Sequence, residues 1–183
     1  MNRQEALQLV NEKIQNPNLV KHCLAVERVM ISLAEHFQQD GEIWGLTGLL
    51  HDIDYETTKD NPKEHSLEGA AMLKDFGLGE EICYAVKVHN EIHGLPRLSL
   101  LDKCLYAVDP LTGLITAAAL ILPSKKLNDL TLESISKRFK EPRFAAGVNR
   151  QAIKSIETIG ISLEQFFEIG LKTMQAIAQD LSL

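Results

Sequence analysis

The sequence is poor in cysteine and has none in pairs. Cys23, Cys83 and Cys104 are odd in number and widely separated, and no CxxC occurs. That pattern fits neither a disulfide framework nor a zinc finger. It points to a reduced, cytoplasmic setting in which the three thiols are small buried apolar groups. Positive charge is not in excess either: 19 basic residues face 25 acidic ones, a formal net charge of -6. This argues against broad electrostatic binding to nucleic acid or to an anionic membrane, though not against a local basic pocket for one phosphate. Long apolar runs are missing. The N-terminal MNRQEALQLV lacks the apolar core of a secretory signal. The greasiest stretch, Leu111 to Leu122, is shorter than the ~20 residues that cross a bilayer. There is no strand-like alternation, internal repeat or low-complexity segment.

What is present is helical periodicity in a chain of 183 residues, a length that fits one domain. Asn2 with Glu5 three residues on predicts a capped helix over 3–15. Pro17 and Asn18 break it, and apolar positions at helical spacing predict a second helix over 19–38. Asp40 caps a third helix ending at His51. Residues 53–62 read as a loop, followed by helices at about 63–76 and 79–92. Ser99 to Val108 forms the next helix, and Pro110 to Leu122 continues it at an angle or restarts it. Helices at about 131–139, 149–159 and 162–180 complete an all-α, irregular bundle of roughly eight or nine helices. Ser162 with Gln165 makes another capping box.

Several polar residues sit where this pattern should bury them. The pair His51-Asp52 follows the apolar helix WGLTGLL, so a charge and an imidazole emerge where a buried helix ends. An unpaired buried charge is costly, and a divalent cation would partner both groups. His22 shares a helical face with Val26 and Val29, at the edge of the core stripe; alone, it reads first as a satisfied core histidine. Asp109 before Pro110 has the form of an N-cap with proline at the first helical position, a role compatible with cation binding.

Taken together, the order His22, His51-Asp52, Asp109 resembles the HD superfamily of metal-dependent phosphohydrolases. The strings HCLAVERVMISLAEHF, GLLHDID, HSLEGAAML and LDKCLYAVDPLTGLITAAAL carry the likeness over residues 19–122. Residues 123–183 form a helical extension within a single 1–183 domain. The resemblance implies an HD-type helical fold in which His22, His51, Asp52 and Asp109 coordinate metal. This mixed N/O set suits Mn, Fe, Ni, Co or Mg, one ion or two, better than a closed structural zinc. The metal would lower the pKa of a bound water and polarise a phosphoryl group.

His65 and His89 match extra histidines that some members use for a second metal or a phosphate contact; a helix-start and a capping histidine are the plainer alternatives. His93 is a weaker candidate, and His36 reads as exposed. With Asp52, the catalytic candidates are Asp54 and Glu56, which could orient water or protonate the leaving group, or be solvated loop charges. Members resembling nucleoside 5'-monophosphatases carry Glu three residues after the HD aspartate, where this chain has Tyr55. Phosphate-contacting cations are sought among Lys87, Lys103, Arg97, Lys125, Lys126, Arg143 and Arg150.

The function implied is hydrolysis of a phosphoester or phosphoanhydride of a small phosphorylated substrate such as a nucleotide. The alternatives are a di-iron oxygenase of the same fold and a non-catalytic nucleotide-binding regulatory module. No nucleic-acid or membrane partner is expected, and monomer and homo-oligomer both stay open.

Overall fold

The computed structural model describes all residues from 1 to 183 and contains helices and turns but no strand. Its helical segments are α1 (Arg3–Lys13), α2 (Pro17–His36), α3 (Gly41–Leu50), α4 (Tyr55–Thr58), α5 (Leu67–Asp75), α6 (Glu80–His89), α7 (Leu100–Leu120), α8 (Leu132–Phe139), α9 (Arg150–Lys154), α10 (Leu163–Ala176) and α11 (Ala178–Leu181). Short 3-10 turns lie at Glu91–His93, Leu127–Asp129 and Ser155–Ile159. The all-α expectation holds, with more and shorter segments than the eight or nine anticipated.

The polar caps set most helix starts. Asn2 with Glu5, Ser99 with Asp102 and Ser162 with Gln165 each form a reciprocal capping box. The Asp40 carboxylate accepts from Glu42 N and Ile43 N. Each satisfies N–H groups that a helix start leaves free.

Two expectations are corrected. Pro110 neither ends α7 nor opens a new helix; it lies inside one, so Asp109 is not an N-cap. A proline inside a helix costs about 3 kcal/mol. The buried side chains flanking it, including Leu105, Val108, Leu111, Leu114 and Ile115, each contribute roughly 1.5–3 kcal/mol. Their sum outweighs the proline. The second correction is the start of α5, which begins at Leu67 rather than near Lys63. Ser66 takes a left-handed backbone conformation, φ 71°, that a continuous helix cannot contain.

The larger hydrophobic core gathers α2, α7, α8 and α10. A second core lies among α1, α3, α5 and α6. α2 contributes to both, and α3 packs closely against it. A Cβ on Gly48 would stand 2.9 Å from Glu27 N and Cα, so only glycine permits this approach. Glu27 itself is buried and receives the Arg3 guanidinium on both oxygens. α2, α3, α6 and α7 meet around one polar spot.

Candidate metal centre

That spot is built largely from helix ends. His51 immediately follows α3 and His89 is the last residue of α6. Each turns its Nδ1 back on a carbonyl of its own last turn: His51 on Gly48 O at 2.8 Å, His89 on Val86 O at 2.6 Å. Carbonyls at a helix C-terminus lack intrahelical partners, so this contact is available wherever a histidine ends a helix. It fixes the hydrogen on Nδ1 and leaves the Nε2 lone pair facing inward.

The other two histidines reach the same state by different means. His65 Nδ1 donates to Asp54 Oδ1 at 3.0 Å. His22 Nδ1 lies 3.2 Å from Thr112 Oγ1, whose own proton goes to Asp109 O at 2.9 Å. The threonine hydroxyl has one proton, so it accepts from His22.

Four Nε2 atoms thus converge on Asp52. Its Oδ2 lies 3.8 Å from His22 Nε2 and 3.5 Å from His51 Nε2. Its Oδ1 lies 3.4 Å from His65 Nε2 and 3.5 Å from His89 Nε2. Asp109 Oδ1 joins the first group, 3.1 Å from His22 Nε2 and 4.0 Å from His51 Nε2. Donors bound at about 2.1 Å to one octahedral ion stand about 3.0 Å apart on adjacent corners and wider at larger angles. The separations fit that range. Asp52 faces one donor group with each oxygen, so the cluster has room for one ion or two. His22, His51 and Asp109 form one compact candidate set, and His51, Asp52 and His89 another.

The strongest sign of a missing partner is His51 Nε2. The residue is fully buried, and this nitrogen has no hydrogen-bond partner. A buried polar atom left unpaired costs about 1–3 kcal/mol. A divalent cation removes that cost, and the two carboxylates supply matching charge.

Ionisation follows the same geometry. Burial pushes the His51 imidazole down, toward the neutral form. Burial alone would raise Asp52, but His51, His89 and His22 together hold its carboxyl well below the usual range. His22 and His89 are raised in spite of burial, by Asp109 and Asp52 respectively. Protons on those two nitrogens compete with a cation, so cation binding at this cluster should release protons.

Asp54 and Glu56 both spend their carboxylates on protein groups. Asp54 is fully buried. Its Oδ2 accepts from Ser66 N at 2.7 Å and Gly69 N at 2.8 Å, while Oδ1 takes His65. It positions His65, and a Cβ on Gly69 would stand 3.1 Å from its carboxylate. Glu56 is half-buried and accepts from Gln15 N and Asn16 N at the α1–α2 junction, bonds that pull its carboxyl below the ordinary value. His93 Nε2 contacts His65 O at 2.8 Å and steadies that loop, and His36 is exposed.

A cavity of about 340 Å³ opens beside the cluster, lined by His22, His65, His89 and Asp109 and by residues of the C-terminal third. None of the cationic candidates lines it. Arg150 is committed to main-chain carbonyls between Arg138 and Val148, including Phe139 O and Glu141 O at 2.8 Å each. Residue patterns missed two features. Lys21 lines an adjoining cavity of about 530 Å³ that shares His22, and its place next to His22 in sequence was the available signal. Glu91, Tyr106 and Asn149 form a polar wall of the first cavity, and no local motif announces it.

The family described as HD domain matches residues 19–114. Against Ribonuclease Y of Lawsonia intracellularis the chain is 30% identical over 124 residues, 67% of this chain and 24% of the relative. Against Ribonuclease Y of Desulfotalea psychrophila it is 31% identical over 125 residues, again 67% of this chain and 23% of the relative. Against that of Mycoplasma genitalium it is 34% identical over 77 residues, 42% of this chain and 16% of the relative. The chain therefore spans about a quarter or less of these curated relatives. No solved structure matches it.

Proposed function

This chain belongs to the HD domain family, and on that premise we propose that it is a metal-dependent hydrolase of phosphate esters or anhydrides. The substrate class is a nucleotide or related small phosphorylated molecule. The observation that carries the reading is Asp52 set among four inward Nε2 atoms, one of them buried without a partner.

In this reading His22, His51, Asp52 and Asp109 hold a divalent cation, and His65 and His89 hold a second ion or the phosphate. When bound, the cation supplies Lewis acidity toward water and the phosphoryl oxygen. The chain's own residues do the rest. Gly48 O, Val86 O, Asp54 and Thr112 hold the four rings in one tautomer, so no reorganisation is needed when ligands arrive. Phosphorus–oxygen cleavage agrees with the name carried by the relatives, which are ribonucleases. A small substrate is favoured over RNA because the formal charge is -6 and no lysine or arginine lines the cavity at the cluster.

Elemental analysis of purified protein, combined with a phosphate-release screen of nucleotides and an RNA oligomer under Mn, Fe, Ni, Co and Mg, tests the proposal. Asp52→Asn should lose metal and activity together, because both donor groups share that carboxylate. Protein that takes up none of these ions, or wild-type metal content in Asp52→Asn, refutes it.

The two-sided environment of Asp52 favours one alternative, a di-iron oxygenase on the same residues. Colour and oxygen consumption by iron-loaded protein would establish that alternative. A colourless, Mn-supported anaerobic hydrolysis rules it out.

A further inference from the structure

We infer that the Glu91–Tyr106–Asn149 wall is a specificity subsite. It accepts neutral hydrogen-bond donors, sugar hydroxyls or base N–H groups, on the part of the substrate that is not phosphate. The inference rests on the hydrolase reading only for what happens at the other end of the cavity.

Three elements build the wall. Glu91 stands just beyond α6, Tyr106 lies on α7, and Asn149 caps α9. Tyr106 Oη donates to Glu91 Oε2 at 2.8 Å, and Asn149 Nδ2 donates to the same oxygen at 2.8 Å. Both protein donors converge on Oε2, so Oε1 is left to accept from a ligand. The Arg97 guanidinium carbon lies 3.4 Å above the Tyr106 ring centre, which fixes the ring plane. Asn149 is doubly held, since its Oδ1 caps α9 through Gln151 N and Ala152 N at 3.0 Å each. The segment leading to it is braced by Arg150 on Phe139 O, Glu141 O and Phe144 O. A carboxylate oriented this firmly is a preorganised acceptor.

Charge decides what it accepts. The Glu91 carboxylate stands on this wall while no lysine or arginine lines the cavity, Arg97 being stacked on the Tyr106 ring and not among the lining residues, so a second phosphate there is disfavoured. Hydroxyl and N–H donors are attracted, since a carboxylate is a stronger acceptor than a neutral oxygen. The volume, about 340 Å³, is at the small end of the range for ligand pockets and can hold one nucleoside-sized group. The cluster at one end and the acceptor wall at the other thus select a phosphate ester whose organic part bears donors.

Two measurements test this. Calorimetric titration of uridine and of 2',3'-dideoxyuridine into wild type and Glu91→Gln reads binding without chemistry. Uridine should bind Glu91→Gln about tenfold or more weakly, the loss of one bond to a charged acceptor. A similar loss with dideoxyuridine on wild type assigns the contact to sugar hydroxyls; an undiminished dideoxyuridine affinity that still falls in Glu91→Gln assigns it to the base. No uridine binding by wild type, or equal binding by both proteins, overturns the subsite. Steady-state kinetics then compare a p-nitrophenyl ester of uridine 5'-phosphate with bis(p-nitrophenyl) phosphate, which has no donors. Glu91→Gln should raise KM for the first alone, with kcat within about twofold. A parallel change on both esters would mean a general structural effect and overturn the assignment. Tyr106→Phe, which removes one of the two donors holding Oε2 and loosens the carboxylate without removing it, should give a smaller shift in the same direction. If wild type cleaves neither ester with any metal, the hydrolase reading fails, and the titrations still decide the wall.

Discussion

Asp54 shows how a buried carboxylate can support a candidate metal centre through a histidine it orients. The residue is fully buried, and its oxygens face Ser66 N, Gly69 N and His65 Nδ1. Replacing it by asparagine puts an NH2 against groups that are themselves donors. Bonds to a charged acceptor contribute about 1.5–3 kcal/mol each, and part of that is recovered through the remaining carbonyl. Asp54→Asn should therefore lose about 3 kcal/mol in urea denaturation. His65 would also lose its orienting partner, and metal affinity at its side of Asp52 should fall about 10–100-fold in a chelator-buffered titration. Unchanged affinity would mean that His65 needs no orientation, or takes no part in binding. At this scale the sequence identified residue types well and roles poorly. His22, His51, Asp52, His65, His89 and Asp109 do converge, because order and spacing on helices constrain where they lie. Asp54 and Glu56 were indistinguishable in sequence, two acids flanking Tyr55 in a polar stretch. What separates them is tertiary: one faces the backbone of α5, the other the backbone at residues 15–16.

Among the elements, the α2–α3 pair sets where His22 and His51 stand relative to each other. Its closeness depends on Gly48. In Gly48→Ala the new methyl meets backbone, at 2.9 Å from Glu27 N and Cα, and backbone cannot swing aside as a side chain does. Overpacking of this kind costs about 1–3 kcal/mol. The variant should show a lower urea midpoint and reduced metal affinity together, since separating the helices widens the cluster. Loss of stability with wild-type affinity would mean that the pair yields elsewhere. The α1–α2 junction is tethered differently, by Glu56 on Gln15 N and Asn16 N. Those bonds favour the carboxylate and lower its pKa in the folded chain. A group whose folded value is depressed stabilises above its unfolded pKa, and that contribution fades as pH falls through the folded value. Glu56→Gln should thus be less stable than wild type near neutrality, the difference shrinking as pH falls past the ordinary glutamate range and through the lowered folded value. Parallel stability curves across pH 3–7 would refute the tether. Helix starts were readable because caps are local: Asn2, Asp40, Ser99 and Ser162 act within three residues. The N-cap role of Asp109 and the start of α5 were misread because their outcome is set by distant partners, the core around α7 in one case and Asp54 in the other.

Across the whole molecule, the segment that resembles the family shares its larger core with residues of the C-terminal third. α7 carries Asp109, and its neighbours Leu111 and Ile115 pack on Gly170 of α10, where an added Cβ would come within 2.9 Å of both. Phe166, Phe167, Leu171 and Met174 of α10 and Ile153 and Ile156 belong to the same core as Val26, Met30 and Leu33 of α2. Each such side chain is worth roughly 1.5–3 kcal/mol when buried. A domain of this size has about 5–15 kcal/mol of net stability, so losing half a dozen of them removes an amount of the same size as the total. Residues 123–183, which carry no catalytic motif, would then be a condition of folding as well as the source of Asn149 in the cavity wall. A fragment ending at Leu122 should show no cooperative thermal transition, should bind a hydrophobic dye, and should take up no metal at concentrations that saturate the full chain. A fragment that melts cooperatively and retains metal would mean that residues 19–122 are an autonomous unit and the remainder an appendage.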